Sequence, residues 1–167
     1  MSSAEAYGDH GGGAHLRWPA MVRRPRPLDR AEIEALLALD VPARLATLDR
    51  DGFPHVTPIW FLWTDGAFYM TSIADRPHLR RIEGNKRAGV LVDTEDSERD
   101  DGQRPNRQVR AIGDAEVFAD SGWEWTARIT KKYLHGPGAA ASIASRAADE
   151  RVVVRLRPVR VVAVASI

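Results

Sequence analysis

Short runs of β-branched and aromatic residues, punctuated by Asp-Gly turns, set the pattern of this chain between Ala43 and Asp93. The runs predict strands at Ala43–Leu48, Pro54–Trp63 and Ala67–Ser72, because such side chains pack well on a pleated surface. Asp51-Gly52 and Asp65-Gly66 separate them, with glycine supplying the positive φ that a tight hairpin turn requires. The second run is apolar on both parities, Val56, Trp60 and Leu62 against Ile59, Phe61 and Trp63. Both of its faces should therefore be covered, by a cofactor, a partner subunit or both.

Helical spacing appears in four places. Asp29 and Glu32 have the form of a capping box, with Ile33, Leu36 and Leu37 following, which predicts an amphipathic helix over 30–39. Asp75 is placed to cap a short helix over 76–83, whose first turn tolerates Pro77. Ser121 and Glu124 form a second capping-box pattern, and Trp125, Ile129 and Tyr133 recur every four residues, so a helix should run to Leu134 and end at Gly136-Pro137. Ala139–Ala148 is a further helix of small residues. Between these lie strands at Ala88–Val92, Arg107–Phe118 with Gly113 as a bulge, and Arg151–Val164 with a kink at Pro158 that helps curl the sheet. Polar residues Thr94–Asn106 read as a loop. The sum is mainly β: a small antiparallel barrel of six or so strands with appended helices.

Size and composition narrow this little. A chain of 167 residues supports one domain, here 28–167, preceded by a tail at 1–27 that has few large apolar groups to bury. Lys+Arg 24 against Asp+Glu 23 leaves no global field of the kind that marks nucleic-acid or membrane-surface binders. With no cysteine, thiolate metal sites and a cysteine nucleophile are excluded. The five histidines have no metal-binding spacing, and there is no Gly-x-Ser-x-Gly elbow. No apolar run nears the roughly 20 residues that cross a bilayer, and the plain reading is a cytoplasmic protein.

The sharpest candidate for chemistry is Ser72–Arg81. A helix start offers unpaired N–H groups to an anion, and side chains of the same turn can neutralise it. Thr71 and Ser72 bring hydroxyls, while Arg76, His78, Arg80 and Arg81 bring charge or N–H donors. The competing reading is a solvated basic helix paired with the acidic 93–101 loop.

The segments GFPHVTPIWFLW, FYMTSIADRPHLRRIEGNKRAGVLVD and RQVRAIGDAEVF, in that order, resemble the split-barrel family of pyridoxamine 5′-phosphate oxidase and its flavin- and deazaflavin-dependent relatives. The resemblance spans roughly residues 30–165. It implies a homodimer with FMN, or the deazaflavin coenzyme F-420, in each of two clefts between subunits. It further implies that Thr57, Pro58, Ile59, Trp60, Phe61 and Leu62 line the ring, that Thr71 and Ser72 meet the phosphate, and that Gln108 touches the ring or ribityl chain. His78 stands where the family usually has a phosphate-binding lysine, so Arg76 and Arg80 would have to compensate. Pyridoxamine-phosphate oxidases proper carry basic residues at the positions of Thr57 and Leu62, so that vitamin is not the expected substrate. The implied activity is hydride transfer between the bound cofactor and a small planar molecule. The alternatives are a carrier or sensor that only binds the planar ligand, and a dimeric module with an empty cleft.

Overall fold

The run Pro54–Trp63 is two strands, and the break between them shapes the molecule. In the computed structural model, which describes residues 25–97 and 104–166, β1 is Arg26–Pro27, α1 Arg30–Ala38, β2 Ala43–Leu48, β3 Pro54–Ile59 and β4 Phe61–Thr64. There follow β5 Ala67–Ile73, α2 Pro77–Gly84, β6 Arg87–Glu95, β7 Asn106–Ala119, a 3-10 turn at Ser121–Trp123, α3 Glu124–Tyr133, α4 Pro137–Arg146 and β8 Arg151–Ser166. All pairings are antiparallel, in one eight-stranded sheet of order β3-β2-β6-β7-β8-β5-β4, with β1 added on β8. The chain therefore passes at Trp60 from one edge of the sheet to the other. A sheet whose two edges are consecutive in sequence must curl, and because no ladder joins β3 to β4 it curls into a barrel with a slit.

The apolar residues of the run are thus divided between two strands at opposite edges of the sheet. Phe61 opens β4 and is fully buried, whereas Val56 on β3 is 63% exposed. Within one chain β3 has only one covered face. The strand count exceeds six because of this break and the two-residue β1.

The barrel interior is filled by Leu45, Phe61, Phe68, Met70, Val90, Val92, Val109, Val154 and Leu156, closed by Leu36 and Leu37 of α1 and by Leu79 and Ile82 of α2. The Asp29–Glu32 capping box forms as expected. Outside β5 and β8, α3 lays Trp125 flat on Tyr69, ring centroids 3.8 Å apart.

Gly113 is required by β8 rather than being the inserted residue itself. The register jumps from Ile112↔Arg160 to Gly113↔Pro158, which leaves Val159 as the extra residue of the bulge. A Cβ at Gly113 would stand 2.2 Å from the carbonyl oxygen of Arg157.

Two expected caps are replaced. Asp75 does not cap α2; it takes the left-handed conformation, φ 66°, and receives the Nε–H of Arg80 at 2.9 Å. At α3 the capping side chain is Asp120, not Ser121: its carboxylate accepts the backbone N–H groups of Trp125 and Thr126 at 3.0 and 2.9 Å. The expected tail over 1–24 and the 98–103 part of the expected polar loop lie outside the described residues. No described helix is long and apolar enough to cross a membrane.

Candidate functional site

Where the slit meets α2 the surface opens into a cleft of about 910 Å³. One wall is the end of β3, Thr57, Pro58 and Ile59, continuing into Trp60. As an edge strand β3 is bonded only to β2, so its outward N–H and C=O groups are free for a ligand. Trp60 itself is fixed: its ring stacks on Tyr133 with centroids 4.6 Å apart and planes 4° from parallel, and the Arg146 guanidinium lies 4.6 Å from its centre.

The second wall is the end of β5 and the start of α2, with Thr71, Ser72, Ile73, Arg76, Pro77, His78 and Arg81. Alternation along β5 buries Ser72, and the apolar stripe of α2 carries His78 inward with Leu79 and Ile82. His78 is 7% exposed and its Nε2 has no hydrogen-bond partner. Burial, then the charges of Arg81 and Arg76, hold its pKa below the ordinary histidine value, so at neutral pH it is an uncharged imidazole. The cationic character of this wall comes from the arginines instead.

The third wall was not foreseen from the sequence. Ser145 and Arg146 at the end of α4, Asp149, and Arg151 at the start of β8 complete the cleft together with Pro42. Arg151 is 8% exposed; its Nε donates to Thr126 Oγ1 at 3.0 Å and one terminal nitrogen to Thr71 Oγ1 at 3.3 Å. Thr126 donates its own hydroxyl hydrogen bond to the Asp120 carboxylate at 2.6 Å, which ties the α3 cap to the cleft. Burial, followed by the repulsion of Arg146, pushes the Arg151 pKa down, although a guanidinium stays protonated. Only the approach of β8 to β5, Arg151 opposite Ile73, brings this residue to the Thr71 end. No local spacing signals that.

Of the residues singled out from the sequence, Thr57, Pro58, Ile59, Trp60, Thr71, Ser72, Arg76, His78 and Arg81 share this one cleft. Four do not. Phe61 points into the barrel core, and Leu62 lies opposite Tyr69 in the β4–β5 ladder. Arg80 turns back to Asp75 and lines a neighbouring cleft of about 600 Å³ with Arg50 and Arg81. Gln108 sits in mid-sheet, opposite Asp93 on β6 and Val164 on β8. His55 is bonded to Asp49 at 2.8 Å and is not among the residues lining the cleft.

The family profile described as pyridoxamine 5′-phosphate oxidase matches residues 30–165, nearly the whole described chain. The chain belongs to that family. Solved structures agree on the fold of this pyridoxamine 5′-phosphate oxidase relative. A conserved hypothetical protein of Mycobacterium tuberculosis superposes with TM-score 0.66 at 22% identity, covering 82% of this chain and 84% of its own. A FAD-binding protein of Mesorhizobium loti gives 0.61 at 20% identity, covering 86% and 99%. A structure titled F420 reductase gives 0.54 at 24% identity, covering 77% and 94%. No curated protein matches the sequence.

Proposed function

We propose that the cleft binds the ring and phosphate of FMN or of the deazaflavin F-420, and that the protein is an oxidoreductase acting on a small planar substrate. The observation that carries this is the meeting of two unlike surfaces in one cleft: an edge strand with free backbone groups ending at Trp60, and a cationic turn with hydroxyls at Thr71–Arg81. A phosphate suits the second surface. Among the described residues neither Arg76 nor Arg81 pairs with a carboxylate, while Arg80 next door does.

In this reading Thr57–Ile59 bond the ring edge through their backbone, Trp60 fixes the ring's lateral position, and Thr71, Ser72, Arg76 and Arg81 hold the phosphate. The bound cofactor supplies hydride transfer at the central ring position. The chain contributes orientation and electrostatics, and no side chain serves as an obligatory acid or base. Thr57 and Leu62 lack the charge found in the vitamin oxidases, so pyridoxamine phosphate is not the substrate.

The same reading makes the protein a homodimer. Val56, Ile112, Val159 and Val162 are exposed on the outer side of β3, β7 and β8, an apolar face that a second copy would cover. Gln108 would then reach the ring from the other copy.

The related structures bear both a binder's title and a reductase's. The two are separated by releasing the small molecule from purified protein for mass spectrometry, then titrating with FMN and F-420. Saturable binding followed by turnover of the reduced cofactor with an acceptor is expected. Binding without turnover would make the protein a carrier or sensor, and absence of binding to either cofactor would end the proposal.

A further inference from the structure

The cleft holds more positive charge than one phosphate can neutralise. Arg76, Arg81, Arg146 and Arg151 all line it, and Asp149 is the only acid in the lining. None of the four arginines pairs with a carboxylate among the described residues, although Arg26, Arg44, Arg80, Arg104, Arg107, Arg128 and Arg155 all do elsewhere. A phosphate monoester brings about −1.5 to −2 at neutral pH. Set against four cations and one acid, that leaves about one positive charge uncompensated.

The arginines fall into two pairs. Arg76 and Arg81 flank α2 on the Thr71–Ser72 side, whereas Arg146 and Arg151 come from the C-terminal arm. Arg151 is more than nine-tenths buried, and its two hydrogen bonds both go to neutral hydroxyls, Thr126 and Thr71. Its Nη1 makes no hydrogen bond among the described residues. The nearby carboxylates Asp120 and Asp149 favour its charge without a direct hydrogen bond to it among the described residues, and a buried guanidinium short of acceptors is costly unless something anionic completes it. Arg146 is held in position by its own contacts, Nε to Ser142 Oγ at 3.2 Å and its guanidinium over Trp60, so its charge lies at the ring end of the cleft. Two like charges held next to each other in a cleft, neither with a carboxylate, form a receptor for an anion.

We infer that Arg146 and Arg151 form a second anion subsite, adjoining the phosphate turn through the Arg151–Thr71 bond, and that it takes the carboxylate of a planar organic acid, the substrate. The inference rests on the proposed cofactor reading for the word substrate; the subsite itself does not. A carboxylate accepts two parallel N–H bonds from a guanidinium, and a flat body beyond it would lie against Trp60. The other possible source of a second anion is the cofactor itself, through a diphosphate or a polyacidic tail.

The test uses benzoate and its neutral isostere benzamide, titrated into the unloaded and the cofactor-loaded protein. Arginine side-chain NMR signals and cofactor absorbance are the readouts. Benzoate is expected to shift the Arg146 and Arg151 Nε–H signals in both forms, and to bind at least about tenfold tighter than benzamide, the worth of one charge-assisted contact. Arg146→Gln should weaken benzoate about tenfold or more while FMN or F-420 affinity changes less than about threefold; Arg151→Lys should likewise weaken benzoate about tenfold or more, and is read on benzoate alone because Arg151 also bonds Thr71. Thermal melts confirm that both variants are folded; should Arg151→Lys not fold, Arg146→Gln alone decides. Equal binding of benzamide overturns the inference. So does a parallel loss of cofactor affinity in Arg146→Gln, which would assign the pair to the cofactor. If the wild type binds benzoate but neither cofactor, the subsite stands and the cofactor reading falls.

Discussion

The hydroxyl of Tyr133 accepts the backbone N–H of Phe61 at 3.2 Å, the first residue after the break at Trp60. It donates in turn to the Val41 carbonyl at 3.0 Å. One side chain from α3 thus supplies bonds that the slit denies to the backbone. Removing the hydroxyl in Tyr133→Phe leaves both backbone groups short of a partner, and should lower unfolding free energy by about 1–3 kcal/mol in urea denaturation. Unchanged stability would show that the slit is held elsewhere.

Lys132, the preceding residue, donates to the Leu37 carbonyl at 2.9 Å and lies 3.5 Å from the centre of the Phe61 ring. Burial lowers its pKa from 10.5 to about 8. Between those values the unfolded chain holds a proton that the folded chain has released, so stability rises with pH across the window. Tyr133 acts in the opposite sense higher up. Its pKa, raised by burial from 10.0 to about 12, makes the folded state the better proton holder, and stability falls over that range. Melting curves of wild type and Lys132→Met between neutral pH and the lysine value should converge or cross, with only the wild type gaining. Parallel curves would contradict the burial argument.

Phosphate retention should follow the arginines rather than the histidine. His78 is neutral in the cleft, so His78→Gln is expected to weaken cofactor binding by less than about threefold, while Arg76→Ala and Arg81→Ala each cost about tenfold or more. Equilibrium dialysis at pH 7.5, a value about one unit above the ordinary histidine pKa, checks the ranking. A larger effect from His78 would mean that the bound phosphate recharges the ring.

Gly113→Ala places a methyl group against the Arg157 carbonyl, 2.2 Å from its oxygen before relaxation. Backbone cannot swing aside as a side-chain tip can, so a loss of about 1–3 kcal/mol is expected by thermal or chemical denaturation. A neutral result would show that the β7–β8 bulge relaxes freely.

Ile112, 50% exposed, and Val159, 81% exposed, lie beside an apolar groove of about 450 Å³ on the outer sheet face. Ile112→Lys with Val159→Glu should convert a dimer to monomers in sedimentation velocity without unfolding it, since neither side chain belongs to the core. A wild type that sediments as a monomer would remove the dimer from the proposed function.

Local chemistry made much of this molecule legible. The Asp29–Glu32 box, the glycine turns and the strand runs depend on neighbours in sequence, and they appear where the spacing puts them. The wall Thr57–Trp60 and the turn Thr71–Arg81 were readable for the same reason, each being one short segment. Arg146 and Arg151 were not, because they reach the cleft only through the β5–β8 ladder and the packing of α4 beyond α3. The reading of Pro54–Trp63 as a single strand failed for another reason: one apolar run serves two strands at opposite edges of the sheet, and periodicity carries no mark of such a change of edge.

β8 lies in the middle of the sheet although it follows all the other described strands in sequence, and the β4–β5 hairpin touches the rest of the ladder only through it. While the chain emerges from the ribosome, that hairpin has no neighbour to zip onto until Arg151 and its successors arrive. Assembly is therefore late and abrupt. Any nascent chain stalled before Arg151 would display bare strand rims, a natural target for chaperones and a seed for sticking to other copies.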